Sequence, residues 1–293
     1  MSGEHHGARL FGLGYRGYEG SRRRPAWAIA TLAVFTTKRV LGVGRGTRHK
    51  ILPALTLAIA FVPALASVAI AALADPIAVD DLVTYGEYTF FIGSALALFA
   101  SLVAPEALCP DRRTGLLGLY LAGPLDRNRY LAAKGVSVLA VMLVITVGPL
   151  LFMLGAFVIA GYGPSAGDTP ELLVRIVASG VSTALLYAAL SLAVSSFTTR
   201  KAAAAVATVL VLFVPPIIIR SAIESSGAPE ELDLLSFPFV AGELSYRIFG
   251  ETSEGSEPIH ALATWLVATG LFAAAAAGAL LSWLRYRRLE AFR

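Results

Sequence analysis

Charge is scarce in this sequence. Only 15% of its residues are Asp, Glu, Lys or Arg, where an average soluble domain carries about 25%. Too few charges remain to cover a surface in water, which excludes a soluble globular class. Cysteine is scarcer still. The single Cys109 excludes intrachain disulfides and any cysteine-built metal cluster, and it is expected on the reducing side of the membrane. No G-x-x-x-x-G-K-[ST] loop is present, so the chain has no motif for cradling ATP phosphates. The segment GVGRGTRHK (42–50) has glycines and basic residues without that spacing and reads as a basic juxtamembrane turn. H-E-x-x-H is absent too. Glu4, His5 and His6 read as a solvated tail, and His49 and His260 as boundary residues, so no metal site is expected. No Ser, His and carboxylate set falls at membrane depth, which leaves an intramembrane hydrolase without nucleophile or base. The first 50 residues lack the short apolar core and cleavage site of a signal peptide, and the first span is expected to act as its own insertion signal.

What is abundant is apolar sequence: 56% of residues are hydrophobic and mean hydropathy is +0.70. A helix crossing a hydrocarbon core needs about 20 apolar residues. Charge-free stretches of this order run from Ile51 to Leu73, Tyr88 to Pro105, Gly135 to Gly161, Ile176 to Phe197 and Ala261 to Leu284. A sixth, Ala202 to Ile219, extends to Ile223 past Arg220. No stretch alternates as a barrel strand would. The expected fold is therefore an all-α integral membrane protein with six transmembrane helices at about 51–73, 88–108, 135–161, 174–197, 202–223 and 259–284.

Orientation follows from the basic residues. With both termini in the cytoplasm, 21 of the 24 Lys and Arg lie inside, and only Arg175, Arg220 and Arg247 lie outside. Of the 20 acidic residues, 14 fall outside. The net charge of +4 is thus topology plus contact with anionic lipid, not a nucleic-acid footprint. Trp283 and Tyr286 at the inner end of the last span, Trp265 near its outer end, and Tyr85, Tyr88, Phe90 and Phe91 at the outer start of the second are expected as headgroup anchors.

Between the spans, residues 26–41 are expected to form a helix too short to cross, lying either in the interface or buried beside a loop. The segment 224–258 is apolar enough to dip back into the membrane as one or two short helices broken at Pro238, lined by protein or water. Pro53, Pro63 and Pro149 punctuate the first and third spans. Paired Pro215 and Pro216 predict a marked bend in the fifth, as a hinge or as a static kink. Arg220 and Glu224, four apart on that helix, are positioned to pair, either at an outer gate or dimer contact, or with Arg220 snorkelling to lipid.

The most informative stretch is the loop 109–134, CPDRRTGLLGLYLAGPLDRNRYLAAK. Asp111 is placed to cap a helix start. Leu116, Leu117, Leu119, Tyr120 and Leu121 make a short apolar helix outside any span, stopped by Gly123 and Pro124. Asp126, Arg127, Arg129 and Lys134 then lead back to the membrane. An apolar helix in such a loop needs a partner surface, either a separate protein or its own membrane domain and lipid.

An acidic residue, a basic pair, a small-residue turn, a leucine-rich stretch, a Pro, an Arg and a Lys opening the next span occur here as Asp111, Arg112, Arg113, Gly115, Leu116 to Leu121, Pro124, Arg127 and Lys134. In this order they resemble the first cytoplasmic loop of type 2 ABC transporter permeases. Glu106, the N-terminal GYRGYEGSRRRPAW, the turn SSFTTRKAAA and the insertion before the last span resemble the same family, so the likeness covers nearly the whole chain. Gly118 departs from the pattern, a small residue where a larger one would make a firmer helix.

The resemblance implies a non-catalytic permease subunit in the cell membrane. Its coupling helix, with Asp111, Arg112, Arg113, Leu116, Leu117, Tyr120, Leu121, Pro124 and Arg127, would seat in a separate ABC ATPase. Lys38, Arg39, Arg200 and Lys201 would make secondary contacts, and Arg220, Glu224, Pro215 and Pro216 an outer gate. ATP and Mg would be bound by the partner, with no cofactor in this chain. A second permease copy or homologue would complete a central pathway, and export would be the direction. Two other classes stand beside this reading. One is a membrane scaffold that recruits a cytoplasmic partner through the same loop. The other is an ion-coupled transporter, which would want ionisable residues at midplane that the spans do not show. Small, aliphatic spans suit a lipid-like cargo, and equally suit plain helix packing.

Overall fold

A computed structural model describes residues 25–73, 84–122, 125–161, 163–252 and 258–288. These are mostly helical, with no strand among them. In order they form α1 (Pro25–Val40), α2 (Arg48–Leu73), α3 (Tyr85–Phe91), α4 (Gly93–Arg113), α5 (Leu116–Leu121), α6 (Arg127–Thr146), α7 (Gly148–Ala160), α8 (Thr169–Ser196), α9 (Lys201–Ser226), α10 (Phe237–Phe249) and α11 (Thr264–Arg287), with 3-10 turns at Glu230–Leu235 and Pro258–Ala261. Six helical stretches are long and apolar enough to cross a membrane: Pro53–Ala71, Gly93–Arg113, Arg127–Ala160, Thr169–Ser196, Lys201–Ser226 and Thr264–Arg287. Glu4, His5, His6, Gly123 and Pro124 lie outside the described residues.

Burial sorts the helices. Over an apolar stretch of 18 residues in each helix, 72% of residues in α8 and 67% in α4 are buried, against 22% in α9 and 17% in α11. α8 and α4 therefore form the centre, and α9 and α11 turn most of their surface outward. Packing at the centre relies on small residues, as expected where lipid supplies no hydrophobic drive between helices. At Gly278 a Cβ would lie 2.9 Å from the backbone of Ala189, so α11 meets α8 backbone to backbone. Buried hydroxyls follow the same logic: Ser179 and Ser245 share a hydrogen bond at 2.7 Å between α8 and α10.

The structure redraws several boundaries. α4 continues to Arg113 and α6 begins at Arg127, so the connecting segment between them is shorter than 109–134. The third span is two helices that meet at Val147, and Pro149 stands in the first turn of α7, where its missing N–H has no helical acceptor to lose. Pro238 stands in the first turn of α10, just after the break that separates it from the 3-10 turn Glu230–Leu235. α9 is continuous through Pro215 and Pro216.

Two expected headgroup anchors prove to be core residues. Tyr88 is fully buried and donates to the Ala60 carbonyl of α2. Tyr286 is buried against Tyr130, with ring centroids 5.9 Å apart. In both cases a neighbouring helix covers the ring. Trp27, Trp265 and Phe91 remain exposed, as an interface position requires.

Candidate functional site: the basic end of the bundle

The basic ends of α4, α6, α9 and α11 lie at the same end of the bundle as α5 and the Lys38–Arg39 end of α1. Gly115 connects α4 to α5 with φ of +74°, a left-handed conformation that costs glycine little. After the turn α5 packs against α4 and α6. Leu117 points inward and is buried, while Leu116 and Leu119 face outward, Leu119 at 71% exposure. Tyr120 packs on Tyr130 at 5.8 Å between centroids. Burial, and secondarily the Asp111 charge, raises the Tyr120 hydroxyl pKa, against an opposing contribution from Arg39. An apolar groove of about 340 Å³ runs between α1 and α5, lined by Trp27, Leu32, Phe35, Leu119, Tyr120 and Leu125 among others.

Beneath α5 lies a buried ionic cluster. Asp111, in the last turn of α4 and fully buried, accepts from Arg39 of α1 at 2.7 Å, from Lys134 of α6 at 2.6 Å and from the Tyr130 hydroxyl at 2.9 Å. Lys134 also donates to Thr36 of α1 at 3.0 Å. The other arm of Arg39 donates to the carbonyls of Glu106 at 2.8 Å and Ala107 at 2.9 Å. A proline removes the donor that the carbonyl four residues earlier would use. Pro110 lies inside α4, so the Glu106 carbonyl is the one it leaves open, and Arg39 fills the place. The Glu106 carboxylate accepts in turn from Arg45 at 2.8 Å and from Lys201. Arg112 donates to the Ser196 carbonyl at 2.5 Å and the Thr198 carbonyl at 3.2 Å. Arg127 donates to the Arg287 carbonyl at 2.9 Å.

This geometry corrects the expected docking set. Asp111 caps no helix start: it closes α4, and Gly115 precedes α5 without a side-chain cap. Asp111, Leu117 and Arg39 are turned into the chain's own domain, and Arg112 and Arg127 are partly engaged there, so none of these five is a freely offered contact. The buried pair explains why: two charges withdrawn from water must meet each other. Lys38, Arg113, Leu116, Arg200 and Lys201 remain exposed, with Tyr120 and Leu121 half-buried. The parts played by Tyr130, Thr36 and Arg45 were not anticipated. A charged residue at each end of long apolar runs, together with Pro110, was the available signal.

At the opposite end, the Arg220 guanidinium lies 3.3 Å from the Phe239 ring centroid and 3.5 Å from buried Asp233. Glu224, the expected partner one turn further along α9, also acts electrostatically on the Arg220 charge. Nearby, Glu243 accepts from Arg247 at 2.6 Å and lies 2.6 Å from the His260 ring. Among the described residues, no group of three or more His, Cys, Asp or Glu is placed to hold a metal ion.

A sequence profile described as "ABC-2 family transporter protein" matches residues 21–284. The chain belongs to the ABC-2 transporter family. That span takes in α1, the ionic cluster, α5 and all six crossing helices. The ABC-2 family supplies membrane subunits of transporters, in which ATP hydrolysis is the work of a partner. This is accordingly a multi-pass membrane protein of a transport system. No curated protein matches the chain.

Proposed function

We propose that this chain is the permease subunit of an ATP-binding cassette exporter in the cytoplasmic membrane. α5 would be its coupling helix, seated in a separate ATPase that binds ATP and Mg, and a second permease copy or homologue would complete the pathway. Both termini would face the cytoplasm, which places 21 of 24 basic residues inside. The observation that carries the reading is the posture of α5. It stands outside the spanning segments with Leu116 and Leu119 exposed and Arg113 beside them, while Leu117 anchors it to the core. An exposed apolar pair on an anchored helix suits a protein groove.

Motion of α5 would reach the spans through the cluster beneath it. Asp111 joins α4 to α1 through Arg39 and to α6 through Lys134, so a push on α5 would move these three helices together. ATP binding by the partner would then shift the population between inward- and outward-open arrangements.

The test is co-purification. Each buried leucine would contribute roughly 1.5–3 kcal/mol to docking. Leu116→Asp with Leu119→Asp would put two unpaired charges into the groove. The variant should still insert and purify, and an ATP-binding-cassette ATPase identified by mass spectrometry with the unaltered chain should be lost. Unchanged recovery of that ATPase would reject α5 as the docking element.

A further inference from the structure

A large apolar cavity opens along the membrane-spanning helices and reaches the basic end of the bundle at Thr198. A cleft of about 850 Å³ runs between α9 and α11, floored by α8 and closed at one end by the turn Glu230–Leu235. Its walls are small or apolar: Ala203 and Ala207 of α9, Ala273 and Ala277 of α11, with Phe197 at one end and Phe237 at the other. Thr198 is the one polar side chain in the lining. A void this apolar, open along membrane-spanning helices, will hold hydrocarbon rather than water.

The two ends differ in charge. At one, Arg285 follows the lining residue Leu281 by a single turn, so it shares that face of α11. Its guanidinium stands over the lining ring of Phe197 at 5.7 Å, and its buried Nε has no hydrogen-bond partner. Arg112 donates to the Thr198 carbonyl at the same end, and exposed Arg200 follows two residues on. At the other end, Glu230 and Glu231 stand exposed on the turn that supplies Leu234 and Leu235 to the lining. An occupant with a negative head is attracted to the first end and repelled from the second.

We infer that the α9–α11 cleft binds an anionic phospholipid of the surrounding bilayer, its acyl chain along the alanine-lined walls and its phosphate at Arg285. This goes beyond the permease reading and needs only the membrane-embedded fold, so it survives or fails independently of any ATPase. The bound lipid would set how far α9 and α11 approach one another over α8.

The experiment uses the full chain, purified in detergent and equilibrated with equimolar phosphatidylglycerol and phosphatidylcholine, with retained lipid counted by native mass spectrometry. The unaltered chain should keep phosphatidylglycerol in preference. Arg285→Gln should reduce that preference roughly fivefold, as expected for one basic group near a lipid phosphate. Ala207→Phe should obstruct the middle of the cleft and lower retention of both lipids. Ala277→Leu, on the opposite wall, provides the same readout should the phenylalanine variant not fold. Equal retention of the two lipids, or retention unaffected by Arg285→Gln and by either filling variant, would overturn the inference. So would loss of a second copy of the chain with lipid binding intact, which would assign the cleft to a protein interface.

Discussion

Asp111 and Lys134 form an ion pair at 2.6 Å with both side chains fully withdrawn from solvent. Neither belongs to the same helix as the other, and the pair closes α4 onto α6 directly beneath α5. Removing one partner from such a pair leaves a buried charge uncompensated, at about 3–5 kcal/mol. Asp111→Ala should therefore lower the thermal unfolding midpoint of the detergent-solubilised chain sharply. Lys134→Met in the same chain should recover part of the loss, because it removes the orphaned charge. Strictly additive midpoints would show that the two residues are not coupled.

Leu117 and Leu119 lie two residues apart on α5 and face opposite ways. Leu117→Ala should destabilise the chain by about 2–5 kcal/mol, the usual cost of emptying a buried leucine site. Leu119→Ala should leave unfolding within about 0.5 kcal/mol of the original and instead weaken ATPase recovery. The pair of measurements, unfolding midpoint and co-purified ATPase, should separate cleanly. A stability loss at Leu119 equal to that at Leu117 would place the whole of α5 in the core.

Cys109 is poorly placed to report topology. It is fully buried, its sulfur 3.6 Å from the Thr198 carbonyl and 3.9 Å from that of Ser195. An impermeant maleimide should react with it slowly from either side of the membrane until the protein is unfolded. Orientation is better read from Leu119→Cys in a Cys109→Ala background, because residue 119 is exposed. In cells making this chain without its ATPase, that thiol should be labelled from the cytoplasmic side alone, in opened and not in intact cells. Labelling from outside would reverse the orientation and the docking argument with it.

Arg220 and Asp233 tie α9 to the turn before α10, with the guanidinium laid over Phe239. Arg220→Lys keeps the charge but not the planar stack, so it should be intermediate between the unaltered chain and Arg220→Ala in unfolding midpoint. Arg220→Ala and Asp233→Ala should be non-additive in a double-mutant cycle. Independent effects would mean that the contact does not hold the two elements together.

The sequence by itself determined that six apolar helices cross the membrane, because apolar length and scarce charge admit few other structures in lipid. It also determined the family, through the order of residues from Asp111 to Lys134, and the expectation that the basic ends share one side. It marked a short helix at Leu116 to Leu121, since leucines outside a span between glycines stand out locally. What it left undecided is the direction each side chain faces. Asp111 and Arg113 are neighbours of similar polarity on paper, yet one is buried and the other exposed. Tyr88 and Phe91 look alike as boundary aromatics, yet one is core and the other surface. Burial in a bundle depends on which helices pack against a given face, and that arrangement is non-local. The ion pair to Lys134, the carbonyl that Arg39 fills opposite Pro110, and the cleft between α9 and α11 all join residues far apart in the chain, so only the tertiary structure decided them.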